Sequence, residues 1–105
     1  MSVVFDLSDS LCSQFKAAHG LGRTHLSVFL AAACLISSGE TPTWKQIGES
    51  LDWGSKKKRK SLHYVMGNLW RMGLLYYTPE RASIRVTDSG HALLAELGAA
   101  MRKAA

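Results

Sequence analysis

Five consecutive cationic side chains, Lys56-Lys57-Lys58-Arg59-Lys60, head a segment whose next polar residues are Ser61, His63, Tyr64, Asn68 and Arg71. These residue types suit a polyanion that also carries hydrogen-bonding edges. Lysine meets phosphate as a compact charge, arginine as a planar fork, and asparagine can pair with adenine. At 100° per residue, Lys57, Lys60, Tyr64, Gly67 and Arg71 share one side of a helix, flanked by Lys56, His63 and Asn68. Leu62, Val65, Met66, Leu69 and Met72 take the other side. A helix of this width fits the major groove of B-DNA. Lys60, Tyr64, Asn68 and Arg71 are expected to reach base edges there. Lys56 to Arg59 are expected to hold phosphates, helped by Thr43 and Lys45. Arg81 and Arg85, further on, can touch the backbone or enter a minor groove.

Other chemistries find less support. His19, His25, His63 and His91 have neither metal-ligand spacing nor cysteine partners, so no metal or cofactor is expected. Serine, histidine and aspartate occur, but no nucleophile motif does, and the chain does not read as an enzyme. Cys12 and Cys34 lie in apolar helical patterns and read as reduced, buried thiols rather than a redox pair. Trp44, Trp53 and Trp70 read as core rather than as a stacking platform.

The charge distribution narrows the partner class. The chain of 105 residues has a net charge of +5. Residues 1–53 hold three Lys/Arg against five Asp/Glu, a net of −2. Residues 56–85 hold eight Lys/Arg against Glu80 alone, a net of +7. The excess is thus confined to one stretch. The length suits a single domain, since domains commonly have about 100–150 residues. No apolar run approaches the roughly 18–20 residues of a membrane span, and the N-terminus lacks the basic cluster of a secretory signal.

The elements that must position these side chains follow from periodicity. Ser8 or Asp9 can cap a helix with Leu11, Cys12, Phe15 and Ala18 at helical spacing, stopped by Gly20. Thr24 can cap a second helix, which Gly39 ends. It is apolar nearly all round, so it is expected to be the central helix or part of a subunit interface. Thr43 and Gln46 form a capping box for a third helix, with Trp44, Ile47 and Leu51 inward. Asp52-Trp53-Gly54 reads as a turn. A fourth helix starts at Lys56 or as late as Ser61 and stops at Gly73. Leu74–Thr78 and Ser83–Thr87 read as strands joined by a turn at Pro79-Glu80-Arg81-Ala82, with Tyr76 or Tyr77 facing inward. Thr87 or Asp88 caps a last helix bearing Ala92, Leu93, Leu94 and Leu97.

From Thr43 to Leu94 this order resembles a winged helix-turn-helix domain, most like those of the MarR and PadR families of transcription regulators. Three stretches carry the resemblance: Ile47-Gly48-Glu49-Ser50-Leu51-Asp52-Trp53, Leu69-Trp70-Arg71-Met72-Gly73-Leu74-Leu75, and Val86-Thr87-Asp88-Ser89-Gly90-His91-Ala92-Leu93-Leu94. The segment from Asp52 to Leu62 exceeds the usual tight turn by a few residues, and Trp53 stands where a smaller apolar residue is usual. The expected class is therefore mainly α with a small β-hairpin wing. The whole chain, 1–105, would be one winged-helix domain, with residues 43–94 as the motif and 8–38 and 88–103 as flanking helices. The resemblance implies a cytoplasmic, homodimeric regulator of double-stranded DNA, nucleoid-associated if bacterial, with the flanking helices as dimer interface. It also allows a small-molecule effector, although no residue in the sequence identifies a pocket for one. Three other readings of the basic run remain: a solvated face, a short nuclear-import signal, and an adaptor surface that docks an acidic protein. Single-stranded nucleic acid would need aromatic rings exposed on a basic groove, for which Tyr76 and Tyr77 are the candidates.

Overall fold

The computed structural model describes residues 9–39, 42–51, 56–78 and 83–104. Among them the order is α1 (Asp9–His19), α2 (Arg23–Ser37), α3 (Trp44–Ser50), α4 (Lys56–Arg71), β1 (Leu75–Thr78), β2 (Ser83–Val86) and α5 (Asp88–Ala104). The architecture is mainly helical with one two-stranded antiparallel hairpin. The expected turns at Asp52–Gly54 and Pro79–Ala82, with Trp53 and Arg81, lie outside the described residues.

The central element is α2, which packs against α3, α4 and β2. Leu26, Val28, Phe29 and Ala32 are fully buried, each large side chain contributing about 1.5–3 kcal/mol by leaving water. The chain enters α2 through a corner in which Gly20 has φ +73 and Leu21 is buried, and α1 meets α2 at 92°. Two expectations fail on this helix. Thr24 is not its cap, because Gly22 holds that position in extended geometry without a side-chain bond. Cys34 is exposed rather than buried, while Cys12 is buried. Cys34 lies on the stripe Arg23, Ser27, Leu30 and Cys34, which is exposed at its two ends and half-buried between, and the apolar composition hid that stripe. No single described helix is long and apolar enough to cross a membrane. α1 and α2 together reach the length and hydropathy but are sharply bent, and α2 fills the core.

The capping box of α3 is present in both halves. The Gln46 backbone N–H donates to Thr43 Oγ1 at 3.3 Å, and the Thr43 N–H donates to Gln46 Oε1 at 2.8 Å. Ile47 is fully buried below it, with Trp44 and Leu51 packed at the core margin. On α4 the stripe Leu62, Val65, Met66 and Leu69 is buried. The helix closes in a Schellman motif: Leu74 N–H donates to Leu69 O and Gly73 N–H to Trp70 O, with Gly73 at φ +75. That closure puts Met72 outside the helix and 42% exposed, not at the end of the buried stripe.

The strands pair in the register Leu75 with Val86, Tyr76 with Arg85, and Tyr77 with Ile84. Leu74 and Thr87 lie just outside them, although the Thr87 N–H still donates to Leu74 O at 3.1 Å. Ile84 N–H donates to Pro42 O at 3.2 Å, which fastens the hairpin to the segment entering α3. Leu75 and Ile84 are buried, and Tyr77, opposite Ile84 and two residues from Leu75, shares their inward face while Tyr76 takes the other; both tyrosines are still nearly half exposed. Trp70 is 64% exposed and is not core. Leu62, Val65, Met66 and Leu69 already fill the inner face of α4, and Trp70 lies beside that stripe towards the hairpin.

Of the two cap candidates for α5, Thr87 takes the role: its Oγ1 accepts from Gly90 N–H at 3.0 Å, and its hydroxyl donates to Gly73 O. Leu93 and Leu97 are buried; Ala92, like Ala18 of α1, faces outward. The ring of His19 meets Glu96 at 3.0 Å, linking the end of α1 to α5.

Candidate nucleic-acid interface

The backbone of α4 is helical from Lys56, the earlier of the two starts that the sequence left open. Lys56, Lys57, Lys58, Arg59 and Lys60 therefore occupy its first turn and a half. The first turn contains no acidic residue. Cations there oppose the helix dipole by about 0.3–1 kcal/mol each, and a phosphate at the same end would reverse that sign. The side chains of Lys56 to Arg59 lie outside what the structure describes. Lys60, Ser61 and Tyr64 are exposed, Tyr64 by 67%.

Four expected contact residues, Asn68, Arg71, His63 and Thr43, are engaged within the protein. Asn68 is half-buried, and its Nδ2 lies 3.3 Å from His25 Nε2 on α2. Burial pushes the His25 pKa below its ordinary value, so the neutral ring accepts the amide hydrogen. Arg71 is exposed, yet its Nε donates to Gly67 O at 3.2 Å, so the guanidinium lies back along its own helix. His63 faces Trp44, ring centroids 4.7 Å apart and tilted by 44°. That contact sets the start of α3 beside the middle of α4. Lys45, in the first turn of α3, is exposed, while the Thr43 side chain serves as the cap. Arg85 is half-buried on β2 opposite Tyr76.

The fold also assembles a groove that the sequence did not reveal. Arg23, Thr24 and His25, at the start of α2, line it together with Lys60, Ser61 and Tyr64 of α4, around a volume of about 480 Å³. Gly22 brings no side-chain cap, the first turn of α2 holds no acidic residue, and the cationic side chains of Arg23 and Lys60 line the same groove. Arg23 also pairs with Asp9. Hydroxyls, a helix N-terminus and cations in one groove are suited to phosphate oxygens. Gly22-Arg23-Thr24 was visible in the sequence, but its position against Lys60 is a product of the packing of α2 on α4.

Among the described residues no cluster of three or more His, Cys, Asp or Glu is arranged to hold a metal ion. The exposed rings of Trp70, Tyr76 and Tyr77 give more aromatic surface near the basic helix than the sequence reading allowed. No known family, curated protein or solved structure matches the chain.

Proposed function

We propose that the protein is a winged helix-turn-helix regulator of transcription, MarR- or PadR-like, that binds double-stranded DNA as a homodimer. The observation that carries this reading is the start of α4 at Lys56: the whole basic run belongs to a helix whose opposite face is locked into the core. Support comes from the bond between Ile84 and Pro42, which fastens the residue ahead of the α3 cap to the hairpin. The order helix, helix, helix, hairpin, helix over α2 to α5 is compatible with a winged helix. In this reading α3 and α4 form the helix-turn-helix, and β1 and β2 the wing. Lys60, Tyr64 and Arg71 face the major groove, and Lys56 to Arg59 with the groove at Arg23 and Thr24 hold phosphates. Arg81 and Arg85 serve the wing, and Lys45 adds a backbone contact.

Binding of labelled duplex, single-stranded and acidic-protein competitors over a salt series tests the reading. Duplex DNA should bind in preference, with log K falling linearly against log salt at about 0.9 per phosphate neutralised. Preference for an acidic protein would make the face an adaptor surface. Preference for the single strand would assign it, with the exposed aromatics, to unpaired bases.

A further inference from the structure

His25 stands where two parts of the nucleic-acid face meet. It is the third residue of α2 and half-buried, and it lines the groove that Arg23, Thr24, Lys60, Ser61 and Tyr64 also border. Its Nε2 also lies 3.3 Å from Asn68 Nδ2. One imidazole therefore touches both the groove assigned to phosphates and the α4 side chain best suited to an adenine edge. The two protonation states of the ring make different demands. Neutral, with its hydrogen on Nδ1, it accepts the Asn68 amide hydrogen at Nε2. Protonated, it carries N–H on both nitrogens and can only donate. The contact then survives only if the Asn68 amide turns over, so that Oδ1 accepts and Nδ2 points away from His25.

In the free protein, charging this ring is opposed by burial, which lowers the His25 pKa, and by the cations that share its groove. Those cations are Arg23 on its own helix and Lys60 on α4, and Tyr64 is the further titratable group there. Asp9 of α1 pairs with Arg23, and among the described residues no titratable group of α3 or the hairpin lines the groove. A phosphate seated in the groove reverses the balance, because it gives the imidazolium both an acceptor and a counter-charge. We propose that duplex binding takes up one proton at His25, whose imidazolium holds a backbone phosphate in this groove while the Asn68 amide turns its Nδ2 away from α2. This regulation rests on the nucleic-acid reading above. Where the ring is neutral both free and bound, at alkaline pH, affinity does not change with pH. On acidification log K rises by up to about one unit per pH unit, the limit for a single proton.

The test uses the full chain and a mixed-sequence DNA duplex at constant ionic strength, from about pH 8 to about pH 5, the span in which histidine titrates. NMR should place the His25 pKa higher in the complex than in the free protein. The Asn68 side-chain amide resonances should move with the same midpoint. Affinity should rise by about fivefold or more over that span, the lower end of ordinary coupling between sites. His25→Gln can still accept from Asn68 but takes up no proton, and should lose most of that rise. His91→Gln, exposed on α5, should keep it. A His25 pKa left unchanged or lowered by the duplex, a fixed Asn68 amide, or an equal rise in His25→Gln overturns the proposal while duplex binding itself persists. Absence of duplex binding at every pH overturns the nucleic-acid reading and this inference together.

Discussion

Asn68 of α4 reaches across to His25 of α2, with Nδ2 3.3 Å from Nε2, although the two residues stand 43 positions apart in the chain. The bond holds the basic helix to the central helix from the half-buried edge of their contact. It also engages a donor that an adenine edge would otherwise receive. Asn68→Ala should therefore lower stability by about 0.5–1.5 kcal/mol, the usual worth of one such bond. Denaturant unfolding measures this. A variant as stable as the parent would show that the pair contributes nothing to holding α4.

The same histidine gives the fold a pH dependence. Its folded pKa is depressed by burial from the ordinary 6.5, so the unfolded chain binds the proton more tightly. Its stabilising contribution is complete above pH 6.5 and declines as the pH falls below that value towards the folded pKa. The melting temperature should accordingly fall on acidification through this window. His25→Gln should flatten that part of the curve. An NMR titration placing His25 at or above 6.5 would contradict the assignment.

The proposed nucleic-acid face makes a quantitative demand on charge. Lys57→Ala with Lys60→Ala should weaken duplex binding and reduce the slope of log K against log salt by up to about 0.9 for each lost phosphate contact. An unchanged slope would remove both side chains from the interface. Arg71→Ala should lose discrimination between sites with little loss of stability, because the side chain is exposed and bonds only to the Gly67 carbonyl of its own helix among its described hydrogen bonds. Uniform weakening on every sequence would make Arg71 a phosphate contact.

Gly90 offers a test of the fold that is independent of any ligand. A Cβ there would lie 2.3 Å from the Leu74 carbonyl oxygen and 2.6 Å from Val86 Cγ1. The backbone of α5 is seated directly on the base of the hairpin. Gly90→Ala should destabilise by about 1–3 kcal/mol or more, against the small gain that alanine usually brings to a helix. Thermal unfolding decides between the two signs.

Gly67 is the contrasting case. A Cβ there would meet only the flexible end of Arg71, at 3.4 Å. Gly67→Ala should stabilise α4 by up to about 1 kcal/mol through helix propensity. If α4 sits deep in a groove of DNA, the same change should weaken duplex binding. Unchanged affinity would place Gly67 away from the bound surface.

The features legible in the sequence were those made by neighbours along the chain. Thr43 and Gln46 are three residues apart, so their capping box could be read directly, and Gly73 announced the end of α4 because only a left-handed residue closes that turn easily. The stripe Leu62, Val65, Met66 and Leu69 followed from helical period alone. Periodicity gives a residue's angle about its own helix axis, however, and not what lies opposite. Trp70 therefore read as core, whereas the packed helices and hairpin leave it on an open cleft. Cys34 read as buried because the composition of α2 is apolar nearly all round and does not mark the stripe on which Cys34 is exposed. Only the packing of α2 on α4 decided that Asn68 turns to His25 and that Lys60 shares a groove with Arg23. Those contacts join residues tens of positions apart, and the distances between them are fixed by side-chain volumes in the shared core rather than by any local pattern.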